Sequence, residues 1–257
     1  MSAEQVGGLQ DHPRWGRLPD LGLDDRYDRL VVVAAHPDDE SIGAGGLIAR
    51  AHDRGMQVYV ALLTAGEAAD PAVTDGSRHA LARMRLAEME AAVDLLAPGA
   101  PVVFLGAQDG HLDECEPQIS AYLTETLGQG GRTLVAAPWR EDPHPDHRSA
   151  GRAAATAAAA AGARLVEFPV RLWLDADPGE APWDRMVQLS LSDAERDRKV
   201  AAIGAHASQV RSPDVLRSRL AHLAGTVEHH VLEPAPVPDP VSDPVSAPVS
   251  DPVSAES

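Results

Sequence analysis

Short apolar runs alternate with longer amphipathic segments along most of the chain. The apolar runs are typical of strands buried on both faces of a sheet, and they cover residues 29–35, 57–64, 101–106, 133–138 and 163–170. The segments between them have helical periodicity or end at a glycine, and they predict helices over 41–55, 78–96, 117–128 and 146–162. Strands that alternate with helices predict an α/β fold, here a Rossmann-like, doubly wound, mostly parallel sheet with helices on both faces.

The same pattern predicts which face of one helix is buried and where the alternation becomes irregular. Helical spacing in the segment 78–96 favours a buried face made of Leu81, Met84, Ala87, Ala91 and Leu95. Beyond the fifth strand, the pattern indicates a strand over 186–191, a helix over 193–206 and a final helical or irregular piece.

The two ends of the chain lack this alternation. Residues 1–28 are therefore interpreted as an N-terminal extension and residues 29–232 as a single α/β domain. Residues 233–257 repeat Pro, Val, Ser and Asp, and they have too few apolar residues to offset the entropy lost on ordering. We expect this last segment to be a disordered acidic tail.

Charge and cysteine content narrow the classes of partner and compartment. The formal net charge is −17, which makes nucleic acid and anionic membrane surfaces poor partners. Cys115 is the only cysteine, so an internal disulfide is excluded and a reducing compartment fits. Because the longest apolar run is too short to span a bilayer and no signal peptide is evident, we expect a cytoplasmic protein without a membrane partner. Whether it forms a homo-oligomer is left open.

The first and fourth predicted strands both run into a His-Pro-Asp segment. The first is "HPDDE" at 36–40, and the second is "HPDH" at 144–147. In open parallel sheets, ligands bind beyond the carboxyl ends of the strands, at the point where the strand order reverses. If these two strands flank that point, the two segments face each other across one site.

Histidine and carboxylate side chains at such a position predict a metal centre. Catalytic zinc commonly takes three protein ligands and keeps one position open for water, and His36, Asp39 and His147 would supply such a set. Asp38 could then take a proton from the attacking water, and His144, as an imidazolium, could stabilise an oxyanion. We expect one Zn²⁺ per chain, and Fe²⁺ or Co²⁺ would suit the same ligands.

Helix capping is the alternative explanation for these acidic residues. Asp and Ser just before a helix are usually N-caps, and "HPDDE" alone could be no more than a capped helix start. Two His-Pro-Asp segments, each at a strand end, are hard to ascribe to capping, which favours the metal centre.

These motifs resemble those of the LmbE/PIG-L family. The resemblance rests on "AHPDDE" after a first apolar strand and on "HPDH" about a hundred residues later, and weaker matches follow the family order over roughly residues 29–209: "LLTAGE", "RLAEMEAA", "FLGAQDG" and "KVAAIGAHASQ". The family comprises zinc-dependent deacetylases of substrates that contain N-acetylglucosamine. The resemblance therefore implies a hydrolase that removes an N-acetyl group from a small N-acylated amino sugar.

The resemblance also assigns roles to individual residues. It implies that His36, Asp39 and His147 bind zinc, that Asp38 is the general base and that His144 stabilises the oxyanion.

Further residues are assigned to the substrate. Arg85 and Asp109 match positions that hold sugar hydroxyls in relatives, and Arg140 is a third candidate, although it could instead pair with a neighbouring acid. His206 is either a packed histidine or a substrate contact.

Three other functions compete with this one. A dinucleotide site is disfavoured, because "GAGG" at 43–46 fails the G-x-G-x-x-G spacing at Ile48 and the acidic loop would repel a pyrophosphate. A non-catalytic sugar-binding or metal-binding module would not need Asp38 and His144. An amidase for a different amide, such as a mycothiol conjugate, remains open.

Overall fold

The computed structural model describes residues 12–68, 75–172, 181–209 and 225–232, so the predicted tail at 233–257 lies outside the described residues. The strands are β1 (Arg29–Ala34), β2 (Gln57–Leu62), β3 (Val102–Phe104), β4 (Thr133–Pro138), β5 (Arg164–Phe168), β6 (Met186–Ser190) and β7 (Val227–Leu232). The helices are α1 (Asp39–Asp53), α2 (Asp75–Leu96), α3 (Glu116–Leu127), α4 (Pro145–Ala161) and α5 (Asp193–Ala205), and a 3₁₀ helix covers Leu112–Cys115.

The strands form one sheet in the order β3-β2-β1-β4-β5-β7-β6. Strands β1 to β5 are parallel, whereas β7 is antiparallel to both β5 and β6. The chain moves from β1 outward to β3 and then returns to β4 on the other side of β1, so the strand order reverses between β1 and β4. This confirms the predicted doubly wound α/β fold and places the two His-Pro-Asp segments at the switch point.

Alternate residues of β1 enter two different cores, as expected for a strand covered on both faces. Leu30, Val32 and Ala34 pack in a core with α1 and α2, whereas Val31 and Val33 pack in a core with α3 and α4. Helix α5 joins the first core and lies against α1 and α2. None of the described helices is both long and apolar enough to cross a bilayer.

Close packing accounts for the glycines of the "GAGG" segment in α1. A Cβ at Gly43 would lie 2.1 Å from the ring of Phe168, and one at Gly46 would lie 2.4 Å from Leu191. Both separations are too short for real atoms, so only glycine lets α1 approach the sheet this closely. The segment therefore serves helix packing and not phosphate binding.

The buried face predicted for α2 is wrong. Met84 and Leu95 are 38% and 44% exposed, whereas Met89, Val93 and Leu96 are buried against the first core. Ala87 and Ala91 are exposed too, and Leu81 is only partly buried. Two apolar stripes, offset by one residue, run along this alanine-rich helix and are similarly hydrophobic. Contact with α1 and α5 buries the second stripe, which contains Met89, Val93 and Leu96.

The final helical or irregular piece predicted before residue 232 is wrong at its end, because 227–232 forms the strand β7, whereas 210–224 lie outside the described residues. Its buried Glu228 accepts hydrogen bonds from the backbone N–H groups of Gly46 (2.7 Å) and Leu47 (3.0 Å), the ammonium of Lys199 (2.5 Å) and Nε2 of His230 (3.0 Å). One carboxylate thus joins β7 to α1 and α5.

The described part of the N-terminal extension follows the edge of the sheet. Asp20 forms an isolated parallel bridge with Gln188 of β6, and Leu18 is buried in a small core with Trp139, Trp183 and Met186. Residues 12–28 therefore pack against the domain.

Candidate metal and catalytic site

The loops after β1 and β4 leave the same edge of the sheet, because the two strands are adjacent and parallel. Between them lies a cleft of about 400 Å³, within the range of small-molecule sites. It is lined by His36, Asp38, Asp39, Ile42, Gly66, Ala68, Arg85, Asp109, Gly110, His144, Pro145, His147, Val170, Arg171 and Gln209. Seven of the eight predicted site residues are among them.

Side chains of the loop after β1 fix its conformation. Asp39 accepts a hydrogen bond from the N–H of His36 (2.9 Å), and Glu40 accepts one from the N–H of Asp38 (3.1 Å). Asp38 has φ of 116° and is the one non-glycine residue with positive φ in the described ranges. Such a conformation costs about 1–3 kcal/mol and persists only where the surroundings enforce it. Asp38 occupies the N-cap position of α1 but makes no side-chain cap, so helix capping does not account for its carboxylate.

His147 is buried between two carboxylates. Its Nε2 lies 3.2 Å from Oδ1 of Asp39, and its Nδ1 lies 2.9 Å from Oδ1 of Asp142. Asp142 is held in turn, because its Oδ2 accepts hydrogen bonds from the N–H groups of Val170 (3.0 Å) and Arg171 (2.9 Å). A carboxylate behind a histidine fixes the ring and directs the other nitrogen outward, as in the outer shell of metal sites.

Asp142 is a site residue that the sequence analysis missed. Its position five residues before His147 in "EDPHPDH" was the available signal, but aspartates in such loops are common.

His36 lies between three carboxylates. Its Nε2 is 3.1 Å from Oδ1 of Asp109 and 3.2 Å from Oδ2 of Asp146, and its Nδ1 is 3.8 Å from Oδ2 of Asp39. Asp146 also accepts hydrogen bonds from the N–H groups of Gly110 (2.7 Å) and Leu112. This carboxylate therefore connects the loop after β4 to the loop after β3.

These carboxylates shift the titration of both histidines. Burial acts to lower the pKa of His36, but hydrogen bonds with Asp109 and Asp146 outweigh it and raise that pKa to about 10. For His147, burial is opposed by the charge of Asp39 and by the hydrogen bond with Asp142, and the pKa rises to about 9. Burial would raise the pKa of Asp39, but the positive charge of His147 holds it below its usual range. The site thus favours positive charge at its centre.

The donor set fits a divalent cation. Two ligands of a tetrahedral zinc ion are about 3.4 Å apart, which is close to the 3.2 Å between Nε2 of His147 and Oδ1 of Asp39. A cation can replace the protons of the two imidazoles, since metal ligation requires deprotonated donors. Among the described residues, two groups have donor atoms all within 4.8 Å of one another: His36, His144 and His147, and His36, Asp109 and Asp146. The first group contains both histidines of the predicted trio of His36, Asp39 and His147, with His144 in place of Asp39.

His144 has a different environment from the other two histidines. Its Nδ1 accepts a hydrogen bond from the N–H of Asp146 (3.2 Å) and caps α4, which leaves the proton of the neutral ring on Nε2. Burial and the positive charges of His147 and His36 lower the pKa of His144 to about 4. At neutral pH the ring is therefore uncharged, in contrast to the imidazolium that we expected from the sequence.

Arg85 and Asp109 reach the cleft from two further elements. Arg85 of α2 is 8% exposed and donates to the carbonyl of Gly66, while its buried Nε has no hydrogen-bond partner among the described residues. Asp109 accepts a hydrogen bond from the N–H of Ala68 (2.7 Å). Both side chains therefore lie where the sequence analysis expected them, at the cleft.

Arg140 lies outside the described lining of the cleft. Its N–H and its Nε donate to Oε1 of Glu167 at 3.0 and 2.7 Å, and Glu167 is fully buried. This placement does not favour the predicted contact of Arg140 with substrate, and the paired acid is not one of its sequence neighbours. Glu167 belongs to β5, and the hydrophobic pattern of the sequence does not indicate that its side chain meets Arg140.

The structure also decides between the two interpretations of His206. Its ring is fully buried, and Nε2 lies 2.9 Å from Oε1 of Glu40. His206 is therefore a packed histidine. Gln209, three residues later, is the residue of this segment that lines the cleft.

Comparison with known proteins agrees with this geometry. A family model described as PIG-L: GlcNAc-PI de-N-acetylase matches residues 31–158, which include both His-Pro-Asp segments. The chain is 30% identical over 243 residues to a 1D-myo-inositol 2-acetamido-2-deoxy-alpha-D-glucopyranoside deacetylase from Gordonia bronchialis, with 70% of this chain and 84% of that protein covered.

Solved structures show the same fold. A conserved protein from Thermus thermophilus is 28% identical, with a TM-score of 0.59 over 82% of this chain and 96% of that one. N,N'-diacetylchitobiose deacetylase from Pyrococcus horikoshii is 21% identical, with a TM-score of 0.62 over 80% of this chain and 84% of that one, a likeness of fold alone. The identity and coverage shared with the Gordonia deacetylase, together with the family match over both motifs, establish that this chain belongs to the PIG-L (LmbE-like) family.

Proposed function

We propose that this protein is a metal-dependent hydrolase that removes an N-acetyl group from a small molecule containing N-acetylglucosamine. The observation that carries the proposal is the convergence of the two His-Pro-Asp segments on one cleft, with Nε2 of His147 and Oδ1 of Asp39 3.2 Å apart and Asp38 beside them. The activities of similar proteins support the substrate class, since these are deacetylases of an acetamido-glucopyranoside and of diacetylchitobiose.

His36, Asp39 and His147 would hold one Zn²⁺ per chain, and Fe²⁺ or Co²⁺ would suit the same donors. When bound there, the ion would polarise the acyl carbonyl and lower the pKa of water. Asp142 orients His147 for this role through Nδ1. Asp39 keeps its orientation through the hydrogen bond from the N–H of His36.

Asp38 moves the proton in this scheme. Its carboxylate takes one proton from the attacking water as the oxygen bonds to the acetyl carbon. The same proton then passes to the nitrogen as the C–N bond breaks, because an amine leaves poorly unless protonated. The new carboxyl group loses the second proton of the water to solvent, so the products are acetate and the free amino sugar, and Asp38 returns to its ionised form. His144 donates from Nε2 to the oxyanion, a role that a neutral ring can fill while its Nδ1 accepts from Asp146.

Arg85 and Asp109 would hold sugar hydroxyls on the side of the cleft next to α2. The buried Nε of Arg85 has no partner in the part of the chain that the structure describes, and Asp109 is a hydrogen-bond acceptor. In this role the two residues would orient the substrate and would take no part in the transfer of protons or the breaking of the C–N bond. A non-catalytic module would have no use for Asp38 in a strained backbone conformation.

The test is a panel of N-acetylated glucosamines and mycothiol conjugates assayed for release of a free amine. Metal analysis should find about one ion per chain, and removal by a chelator should abolish turnover. Asp38→Asn should retain the metal and lose about a hundredfold or more in kcat with little change in substrate affinity. Asp39→Asn should instead lose metal, and Asp113→Asn at an exposed position is the surface control.

Two results would contradict the proposal. One is wild-type turnover by Asp38→Asn on an accepted substrate. The other is release of amine only from mycothiol conjugates and from no N-acetylated glucosamine, which would identify an amidase for another amide.

A further inference from the structure

The carboxylate proposed as general base belongs to a residue in a strained conformation, and buried side chains hold it there. We propose that Glu40 and His206 are positioning residues that clamp the peptide before Asp38 and thereby keep its carboxylate in the cleft. This inference rests on the proposed function of Asp38. Neither Glu40 nor His206 is among the residues that line the cleft, and both are fully buried, so they act on the cleft only through Asp38.

Glu40 uses both oxygens of its side chain. Oε2 accepts the N–H of Asp38 (3.1 Å), while Oε1 lies 2.9 Å from Nε2 of His206 and accepts the hydroxyl of Ser41 (2.5 Å). His206 follows the last turn of α5, so the position of Glu40 is set by an element distant in the chain. Burial would lower the pKa of His206, but the charge of Glu40 outweighs it and raises that pKa, as expected for a close pair.

The same segment holds the other side of that peptide. Gln209 donates from Nε2 to the carbonyl of Pro37. The carbonyl of Pro37 and the N–H of Asp38 belong to one peptide unit, so its oxygen is held by Gln209 and its hydrogen by Glu40. Rotation of this unit about the N–Cα bond of Asp38 is what φ measures. The two contacts therefore enforce the φ of 116°.

Release of this clamp has a predictable consequence. An aspartate at an N-cap position normally takes an extended backbone and turns its side chain back onto the first N–H groups of the helix. Asp38 would gain such a cap and lose the left-handed strain, but its carboxylate would leave the cleft. Position 38 is thus held away from its local preference by Glu40 of α1 and by two residues of the segment after α5, His206 and Gln209.

The first experiment measures kcat, KM and zinc content on a substrate that the wild type accepts. His206→Ala should lower kcat about ten- to a hundredfold, the scale of a misplaced catalytic group, with KM and zinc content within twofold of the wild type. His206→Gln can still donate to Glu40 and should recover part of the loss, and it replaces His206→Ala if that variant does not fold. In an Asp38→Asn background, His206→Ala should cause no further loss, because both changes remove the same function.

The matched control is Glu195→Gln in the first turn of α5, the helix that His206 follows. It breaks the pair of Glu195 with Arg50 (2.6 Å) and should lower the melting temperature without lowering kcat. If His206→Ala behaves like this control, or lowers kcat equally in the Asp38→Asn background, His206 is merely structural and the inference is wrong.

A second experiment needs no turnover and separates this inference from the proposed function. Asp38→Gly should melt several degrees above Asp38→Ala, since both lose the carboxylate and only glycine adopts positive φ without strain. In a His206→Ala background this difference should shrink by at least half. If no substrate is hydrolysed by the wild type, the proposed function fails, and this comparison still decides the clamp. Equal melting of the two variants in the otherwise wild-type chain would overturn it.

Discussion

Glu228→Gln should destabilise the fold more than any single change on the protein surface. Glu228 and Lys199 are each only 2% exposed in their side chains, and their charged atoms are 2.5 Å apart. A glutamine has nearly the same shape, but it leaves the ammonium of Lys199 buried without an anion. It also brings an amide N–H₂ towards groups that are themselves donors, namely the N–H groups of Gly46 and Leu47.

The loss of unfolding free energy in Glu228→Gln can be obtained in two ways. Removal of one partner of a buried ion pair costs about 3–5 kcal/mol. Burial would raise the pKa of Glu228, but the charge of Lys199 and the hydrogen bond from His230 outweigh it and lower that pKa from 4.5 to about 2. A shift of this size is worth about 3 kcal/mol, in agreement with the first route. The melting temperature should then fall by roughly 6–20 °C.

The pH dependence has a definite sign. The folded pKa of Glu228 lies below the unfolded one, so its contribution is complete above about pH 5 and is lost as the pH falls towards 2. The difference in unfolding free energy between wild type and Glu228→Gln should therefore narrow by about 2 kcal/mol between pH 5 and pH 3. Other carboxylates contribute equally to both proteins and cancel in this difference.

Urea unfolding at pH 7, 5 and 3 is the assay, and Glu228→Gln with Lys199→Met is its control. The double variant no longer buries an unpaired ammonium, so it should be more stable than Glu228→Gln alone. A loss below 1 kcal/mol at pH 7, or a difference that does not change with pH, would refute the buried ion pair as the tie between β7, α1 and α5.

Two further predictions concern the site. Asp142→Asn should weaken metal binding about 10- to 100-fold, because Asp142 orients His147, and this can be followed by zinc retention during dialysis against a chelator. The control Glu141→Gln, at an exposed neighbour, should retain zinc like the wild type, and equal retention by both variants would exclude the role of Asp142. Arg140→Met should leave Glu167 buried and unpaired and cost about 3 kcal/mol, measured by thermal unfolding, with KM within twofold of the wild type. A large rise in KM without loss of stability would instead support the contact with substrate that the sequence predicted.

The cleft was predictable because strand ends follow a simple topological rule. Nearly continuous apolar runs identified β1 and β4, and the reversal of strand order between them placed His36 and His147 at the same edge. The backbone alone brings such residues together, so the location follows from element order. The hydrophobic pattern of the sequence was therefore enough to predict where the cleft lies.

Other features depend on contacts that no local pattern encodes. The face of α2 was misassigned because alanines on both stripes left Met84 and Met89 as equal candidates, and only tertiary packing separates them. Strand β7 was missed because its buried positions include Glu228 and His230, the reverse of the usual alternation of apolar and polar residues. Glu228 is buried because its partners Gly46, Leu47 and Lys199 are distant in sequence, and His230 is buried beside it through its own contact with Glu228.

The pairing of β1 with β4 determines when the site forms during folding. The donors on the two loops are separated by about a hundred residues, and β2, β3 and three α-helices lie between β1 and β4. Pairing of β1 with β4 must therefore close a long loop, which is intrinsically slow because its entropy is lost before the new contacts form. The newly made chain carries all the donor side chains well before it has a site. Ligand-binding capacity should appear abruptly with that non-local pairing, after the local β1–β2 unit has formed.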